Sequence, residues 1–430
     1  MTISGGTLKH LDNSTAETYR LRIDVDGNFE VGSAATINAN YIGYDQTRGP
    51  GACTNGGDGG AADHGGRGAS QFSFRGSGVY GSYLEPTNLG SGGCRSTGGD
   101  GGGAVYITAT GATTINGAIE ADGQDPGGYA GGGAGGSVYI KTNTLSGSGT
   151  IQANGGDSPS SYRVGGGGGR VAVIVEGSND LSDITMTTYG GYYQPSAPQT
   201  GGAGTVYTET SSQGTNSGTL IIDNNNAVLV IGNDTPIPSG NSWTIENLTT
   251  RNNGILSVGD GETLILANSI TSDSDSNTDG IRLNSGTLDL KSDELSIDDW
   301  SLIIDSAHTV TGSITVMDGG NITHSNNSSA QSYRAGLTLS GNLTINAGGT
   351  INTDELGYDK QKGPGACTSG GDGGGGSHAG YGGMNNGLRG DTTYGSITDP
   401  WTLGSGGCRS NGGAGGGATK LNIAGALNHM

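Results

Sequence analysis

The sequence predicts an all-β chain wound as a right-handed parallel β-helix, and three observations carry that expectation. Residues 5–114 return as residues 319–428, shifted by 314 positions without insertion or deletion. Short alternating apolar segments recur within that unit about every 33 residues, at Val105-Tyr106-Ile107, Val138-Tyr139-Ile140 and Val171-Ala172-Val173, with Val206-Tyr207 following after 35. Finally, Gly 90 against Phe 3 and Trp 3 leaves no aromatic mass for a thick globular core. A narrow spine of Val, Ile, Leu and Ala renewed along an axis needs none.

Each apolar segment follows a glycine block: Gly101-Gly102-Gly103, Gly131–Gly136, Gly165–Gly169 and Gly201–Gly204. Segments of three to five alternating residues between Gly, Asn and Asp turns read as short strands, and no sustained 3.6-residue period marks a helix. Parallel crossovers are right-handed, which sets the expected hand. Tandem β-sandwiches are the competing architecture, but they leave the 33-residue phase unexplained. In order, the expected segments are coils over 5–42, a glycine-rich insert with a Cys pair over 43–104, coils of 33-residue period over 105–217 and shorter coils over 218–318. Second-repeat coils over 319–356, a second insert over 357–418 and the start of another coil over 419–428 complete the series. A unit that restarts in register is expected to be a slice of a longer tandem array.

Net charge of −20 and a pI near 4.4 argue against nucleic acid or an anionic membrane as partner. No apolar run reaches transmembrane length. Met1-Thr2-Ile3-Ser4 does not read as a signal peptide, so any export signal is expected elsewhere in a parent chain. His429-Met430 depart from the repeat register and read as an appended scar.

The insert cannot bury side chains, so its order must come from backbone pairing and covalent ties. Extended polyproline-II-like strands packed side by side, with the missing Cβ permitting close approach, are one solution, and a flexible loop is the other. Cys53 and Cys94, and their copies Cys367 and Cys408, stand 41 residues apart and read as two disulfides in a secreted chain. A metal site adding His64 and Asp58, or His378 and Asp372, is the alternative, without any recognised ligand spacing.

The run Gly43-Tyr44-Asp45, Gly49-Pro50-Gly51-Ala52, His64-Gly65-Gly66 and Leu89-Gly90-Ser91-Gly92-Gly93 resembles glycine-rich modules of very large bacterial and archaeal cell-surface proteins. The likeness covers residues 19–222 and 333–425 and is weak over 223–318. It implies an extracellular, adhesin-like β-solenoid with no catalytic residues.

Asp275, Asn277 and Asp279, with Asp273 nearby, match the first half of a calcium loop, but Gly286 stands where the closing Glu belongs. Calcium is therefore the one cofactor the pattern raises, against a plain polar turn. Tyr106, Tyr139 and Tyr207 occupy the outward slot of matching strands, and Tyr189, Tyr192 and Tyr193 cluster close by. Stacked rings would give sugars a platform unless the glycine loops cover them. The G-x-G-x-x-G matches precede strands, not helices, which removes nucleotide binding. His10, His64, His308, His324 and His378 lack triad spacing, and Asp298-Asp299 and Asp293-Glu294 read as solvated corners.

The expected function is a non-enzymatic, extracellular structural or adhesive segment, a stiff rod carrying repeated binding surface. Its expected partners are cell-surface glycans, other cells or copies of itself. The alternatives are a polysaccharide lyase or hydrolase on a β-helix, and a receptor- or ice-binding tip built of packed glycine helices.

Overall fold

The computed structural model describes residues 1–430 except 54–58, 71–73, 159–162, 179, 193–199, 228, 230, 231, 269, 273–278 and 368–372. Among the described residues every regular element is a strand, and nearly every pairing is parallel. Two compact units divide the chain, residues 1–257 with 264–279, and residues 258–263 with 280–430.

In the first unit, 13 strands share one sheet. Its centre is a ladder of Leu21–Val25, Ala104–Ile115, Ser137–Ser146, Arg170–Val175 and Thr205–Thr210, each parallel to the one before. Register keeps like residues together. Leu21, Val105, Val138, Val171 and Val206 form one row, and Ile23, Ile107, Ile140 and Val173 the next. A second run continues from Phe29–Asn38 through Ala118–Glu120 and Thr150–Gln152 to Thr185–Thr187, aligning Ile37, Ile119, Ile151 and Met186. Alternation sends these rows to one side, and most of their members are fully buried in a single apolar cluster. Each buried Ile or Val contributes about 1.5–3 kcal/mol of transfer free energy, which explains how a chain poor in aromatics holds its register.

One pairing departs from the parallel expectation. Thr205–Thr210 and Thr219–Asp223 are antiparallel, with Val206 opposite Ile221. The link between them is a tight turn through Asn216, which has positive φ, and a parallel crossover needs a dozen or more residues.

In the second unit, successive passes of the chain add one strand to each of three parallel ladders. Gly280–Leu283, Ser301–Ile304, Asn321–Thr323 and Thr350–Ile351 form the first. Glu294–Ile297, Ser313–Val316, Leu343–Ile345 and Leu427–His429 form the second. Ala307–Val310, Ala335–Leu339 and Thr419–Ile423 form the third. Residues 357–418 lie between the Thr350–Ile351 and Thr419–Ile423 strands, as residues 43–103 lie between Phe29–Asn38 and Ala104–Ile115.

The 314-residue repeat holds at atomic detail. The ring of His10 donates to the Leu11 carbonyl and accepts from the Ala104 N–H, and His324 does the same with Ser325 and Ala418. The amide of Asn13 ties Thr18, Tyr19 and Ile42 together, and Asn327 ties Ser332, Tyr333 and Leu356.

Candidate functional site

The glycine blocks are ordered, and their hydrogen bonds have a period of three. Gly132 and Gly135 donate to Val164 and Gly167, whereas Gly133 and Gly136 donate to Gln124 and Ala121. Gly99 and Gly102 donate to Gly131 and Ala134 in the same way, and Gly166 and Gly169 to Gly156 and Ala153. Donors spaced by three that share a neighbouring strand, with intervening ones aimed elsewhere, are the signature of a polyproline-II turn. Close approach demands glycine here: a Cβ on Gly131 would collide with the Gly60 carbonyl, and one on Gly102 with that of Ala121. Among the described residues, packed glycine strands thus replace the flexible-loop alternative.

Two disulfides staple this material, Cys53–Cys94 and Cys367–Cys408, each closing 41 residues. Their thiolates are therefore not free for the metal alternative. His64 is buried, its Nδ1 donating to the Gly135 carbonyl, and burial holds its pKa down at about 3. His378 bonds the Thr402 hydroxyl through Nε2. Asp58 and Asp372 lie outside the described residues.

Two rings of the tyrosine platform are covered, while Tyr106 is half-buried. Tyr106 and Tyr139 do stack, with centroids 4.7 Å apart, and Arg22 lies over the Tyr106 ring. The row then breaks, because Ala172 stands in register between Tyr139 and Tyr207. Tyr139 and Tyr207 are only 7% and 1% exposed. Tyr83 of the insert packs edge-on against Tyr207 and tilted against Trp243, and the Tyr106 hydroxyl donates to Glu85. Tyr106 and Tyr207 thus hold the insert.

Tyr189 and Tyr192 meet a different fate. They line an open groove of about 360 Å³ together with Tyr41, Asp122, Asp125 and Asp157. A chain of side-chain caps builds it. Asn40 accepts from the Asp122 N–H, Asp122 from Asn154, and Asn154 from Tyr189, at 2.7–2.8 Å. One turn along, Asp125 accepts from Asp157 and Asp157 from Tyr192. Each carboxylate or amide thus fixes the backbone of the next pass, and the row leaves tyrosines beside acceptor oxygens. Burial pushes the Asp122 carboxyl up to about 6 and raises Asp157, Tyr41 and Tyr189. Half-exposed rings flanked by such acceptors are suited to a hydroxyl-rich ligand. Tyr193 lies outside the described residues. Tyr41 was not legible as a member, although Asn40, Asp122 and Asn154 each follow an alanine at a strand end.

Of the calcium-loop residues, Asp273, Asp275 and Asn277 lie outside the described residues. Asp279 is buried, accepting from the Gly254 N–H and the Ser272 hydroxyl. No group of three acidic, His or Cys side chains poised for a metal occurs among the described residues.

Compared with protein-family models, curated proteins and solved structures, the chain matches none.

Proposed function

We propose that this chain is a right-handed β-solenoid segment of an extracellular structural or adhesive protein, resembling adhesin repeat modules. In this reading it presents the Tyr41–Tyr189–Tyr192 groove to cell-surface glycans. The observation that carries the reading is the register: the rows through Val105, Val138, Val171 and Val206 pass without slippage from strand to strand. Spines of that kind give length and stiffness, and repetition multiplies surface without needing a reactive centre. Two disulfides suit an oxidising compartment. The negative charge of −20 keeps such rods apart in solution.

Electron microscopy of a recombinant chain carrying several 314-residue units in tandem tests the rod. A thin particle lengthening by a constant step per unit is expected, and separate beads on slack tethers would end the solenoid reading. Glycan-array binding, with and without calcium, tests the groove. Tyr189→Ala with Tyr192→Ala should lower any retained signal about tenfold or more, the worth of one or two stacked rings. Binding untouched by that pair would remove the groove, and turnover of a polysaccharide would replace adhesion with catalysis.

A further inference from the structure

The two inserts differ in one respect that their sequences do not announce. In the first, three amides converge on a single neighbouring glycine strand. Ala62 donates to Gly132 at 3.1 Å, Gly99 to Gly131 at 3.0 Å and Gly102 to Ala134 at 2.9 Å, while the Ala134 N–H returns to the Ser91 carbonyl at 2.9 Å. The equivalent residues of the second insert are Gly376, Gly413, Gly416 and Ser405. Among the described residues, none of those three amides has an acceptor and the Ser405 carbonyl has no donor. In their place is an open groove of about 630 Å³, lined by Gly374, Gly376, Ser405, Gly407, Gly413 and Ala414. A Cβ on Gly413 or Gly416 would meet nothing within 4 Å, whereas one on Gly99 or Gly102 strikes backbone.

We infer that this face of the second insert is a docking site for an extended glycine-rich strand, of the kind formed by Gly131–Gly136. The three unpartnered donors and one acceptor repeat the spacing that captures such a strand in the first unit, and the absent side chains leave the room it needs. Recognition would run through backbone donors at three-residue intervals, so any residue with a Cβ at the contact points would be rejected by collision. This goes beyond the proposed function, since it holds whether or not the chain forms a rod.

The test is the full chain with a copy of its own residues 115–175 joined after Asn428, which supplies the strand at the effective concentration of a tether, on the order of millimolar. Amide hydrogen exchange at Gly376, Gly413 and Gly416 is compared with that in the unextended chain. Docking should slow Gly376 and Gly416 by about tenfold or more. In the extended chain Gly413→Val, which has free space in the fold, should return both to their original rates. Its unchanged melting temperature in the unextended chain would show that the fold survives. Exchange that is unaltered by the extension, or slowed equally in Gly413→Val, would overturn the inference. Self-association of the unextended chain that Gly413→Val abolishes would also overturn it, by giving the face to a second copy.

Discussion

Gly102 and Gly416 hold the same place in the two copies of the insert, yet a strand of glycines lies against the first and open space against the second. The same contrast runs through the side chains. Tyr83 packs between Tyr207 and Trp243, while its counterpart Ile397 is 99% exposed. The framework is nevertheless shared. Tyr80 bonds Leu89 and Ser91 as Tyr394 bonds Leu403 and Ser405, and Ser91 and Ser405 accept from Gly51 and Gly365 at 2.9 Å. Even an altered pair keeps its place: Tyr106 bonds Glu85, and at the equivalent positions Lys420 bonds Asp399. The insert's own hydrogen bonds therefore set its local form, and the following glycine strands in the first unit add burial on top of it.

Substituting the paired glycines gives the widest separation between the copies. Gly102→Ala must push the Ala121 carbonyl aside in a buried, glycine-packed site, and a loss on the order of 3 kcal/mol or more is expected for the first unit. Gly416→Ala finds room and should be neutral, or stabilising by about 0.4–1 kcal/mol through the unfolded chain. Gly101→Ala and Gly415→Ala are the control, since both meet a carbonyl within their own insert, Gly90 and Gly404, and both should destabilise. Urea unfolding of the four variants checks this, and equal losses for Gly102→Ala and Gly416→Ala would remove the distinction between the copies.

How far the sequence revealed this depends on which physical signal each feature leaves. Alternation and phase are local, so the rows through Val105, Val138 and Val171 were legible, as were the Cys pairs. What covers a strand is not local. Tyr139 alternates like any outward residue yet is buried, stacked on Tyr106, in a row where Tyr83 and Glu85 return from the insert to meet Tyr207 and Tyr106. The expected tyrosine ladder passes over Ala172, whose methyl stands in register where the ladder needs a ring. The groove was half legible. Tyr189 and Tyr192 form a visible cluster, but Tyr41 joins them across nearly 150 residues, held by a positive φ and by its N–H on Asp122.

The disulfides sharpen the comparison through local opening. In the chain-entropy model a cross-link closing 41 residues stabilises by about 4 kcal/mol, and both copies gain it. All four cysteines are buried, but Cys408 borders the open groove, whereas Gly60, beside Cys53 and Cys94, lies against Gly131. Local opening of the second insert should be the cheaper event. Limiting reductant followed by alkylation and mass spectrometry should mark Cys367 and Cys408 about tenfold faster than Cys53 and Cys94. Equal rates would mean that the glycine strands brace nothing.

A pH-dependent contrast concerns a buried charge that the second copy lacks. Asp63 is fully buried, accepts from the Gly68 N–H at 2.7 Å and has Arg67 3.6 Å away. At the same position Ser377 accepts from Gly382 through a neutral hydroxyl. Burial pushes the Asp63 carboxyl up to about 6 despite Arg67. A carboxyl with a raised folded pKa binds its proton more tightly when folded, so its stabilising influence is complete below about pH 4 and is lost as pH rises through 6. His64 has the opposite sign, since its lowered pKa removes stability as pH falls below 6.5. Only the difference between parent and variant isolates Asp63. Asp63→Asn keeps an acceptor for Gly68 and should stabilise the first unit by about 1–3 kcal/mol at pH 8, the gain vanishing by pH 4. Urea titrations at the two pH values measure it. A gain that persists at pH 4 would come from packing, and a loss at pH 8 would mean that the Arg67 pair outweighs the desolvation of the carboxylate.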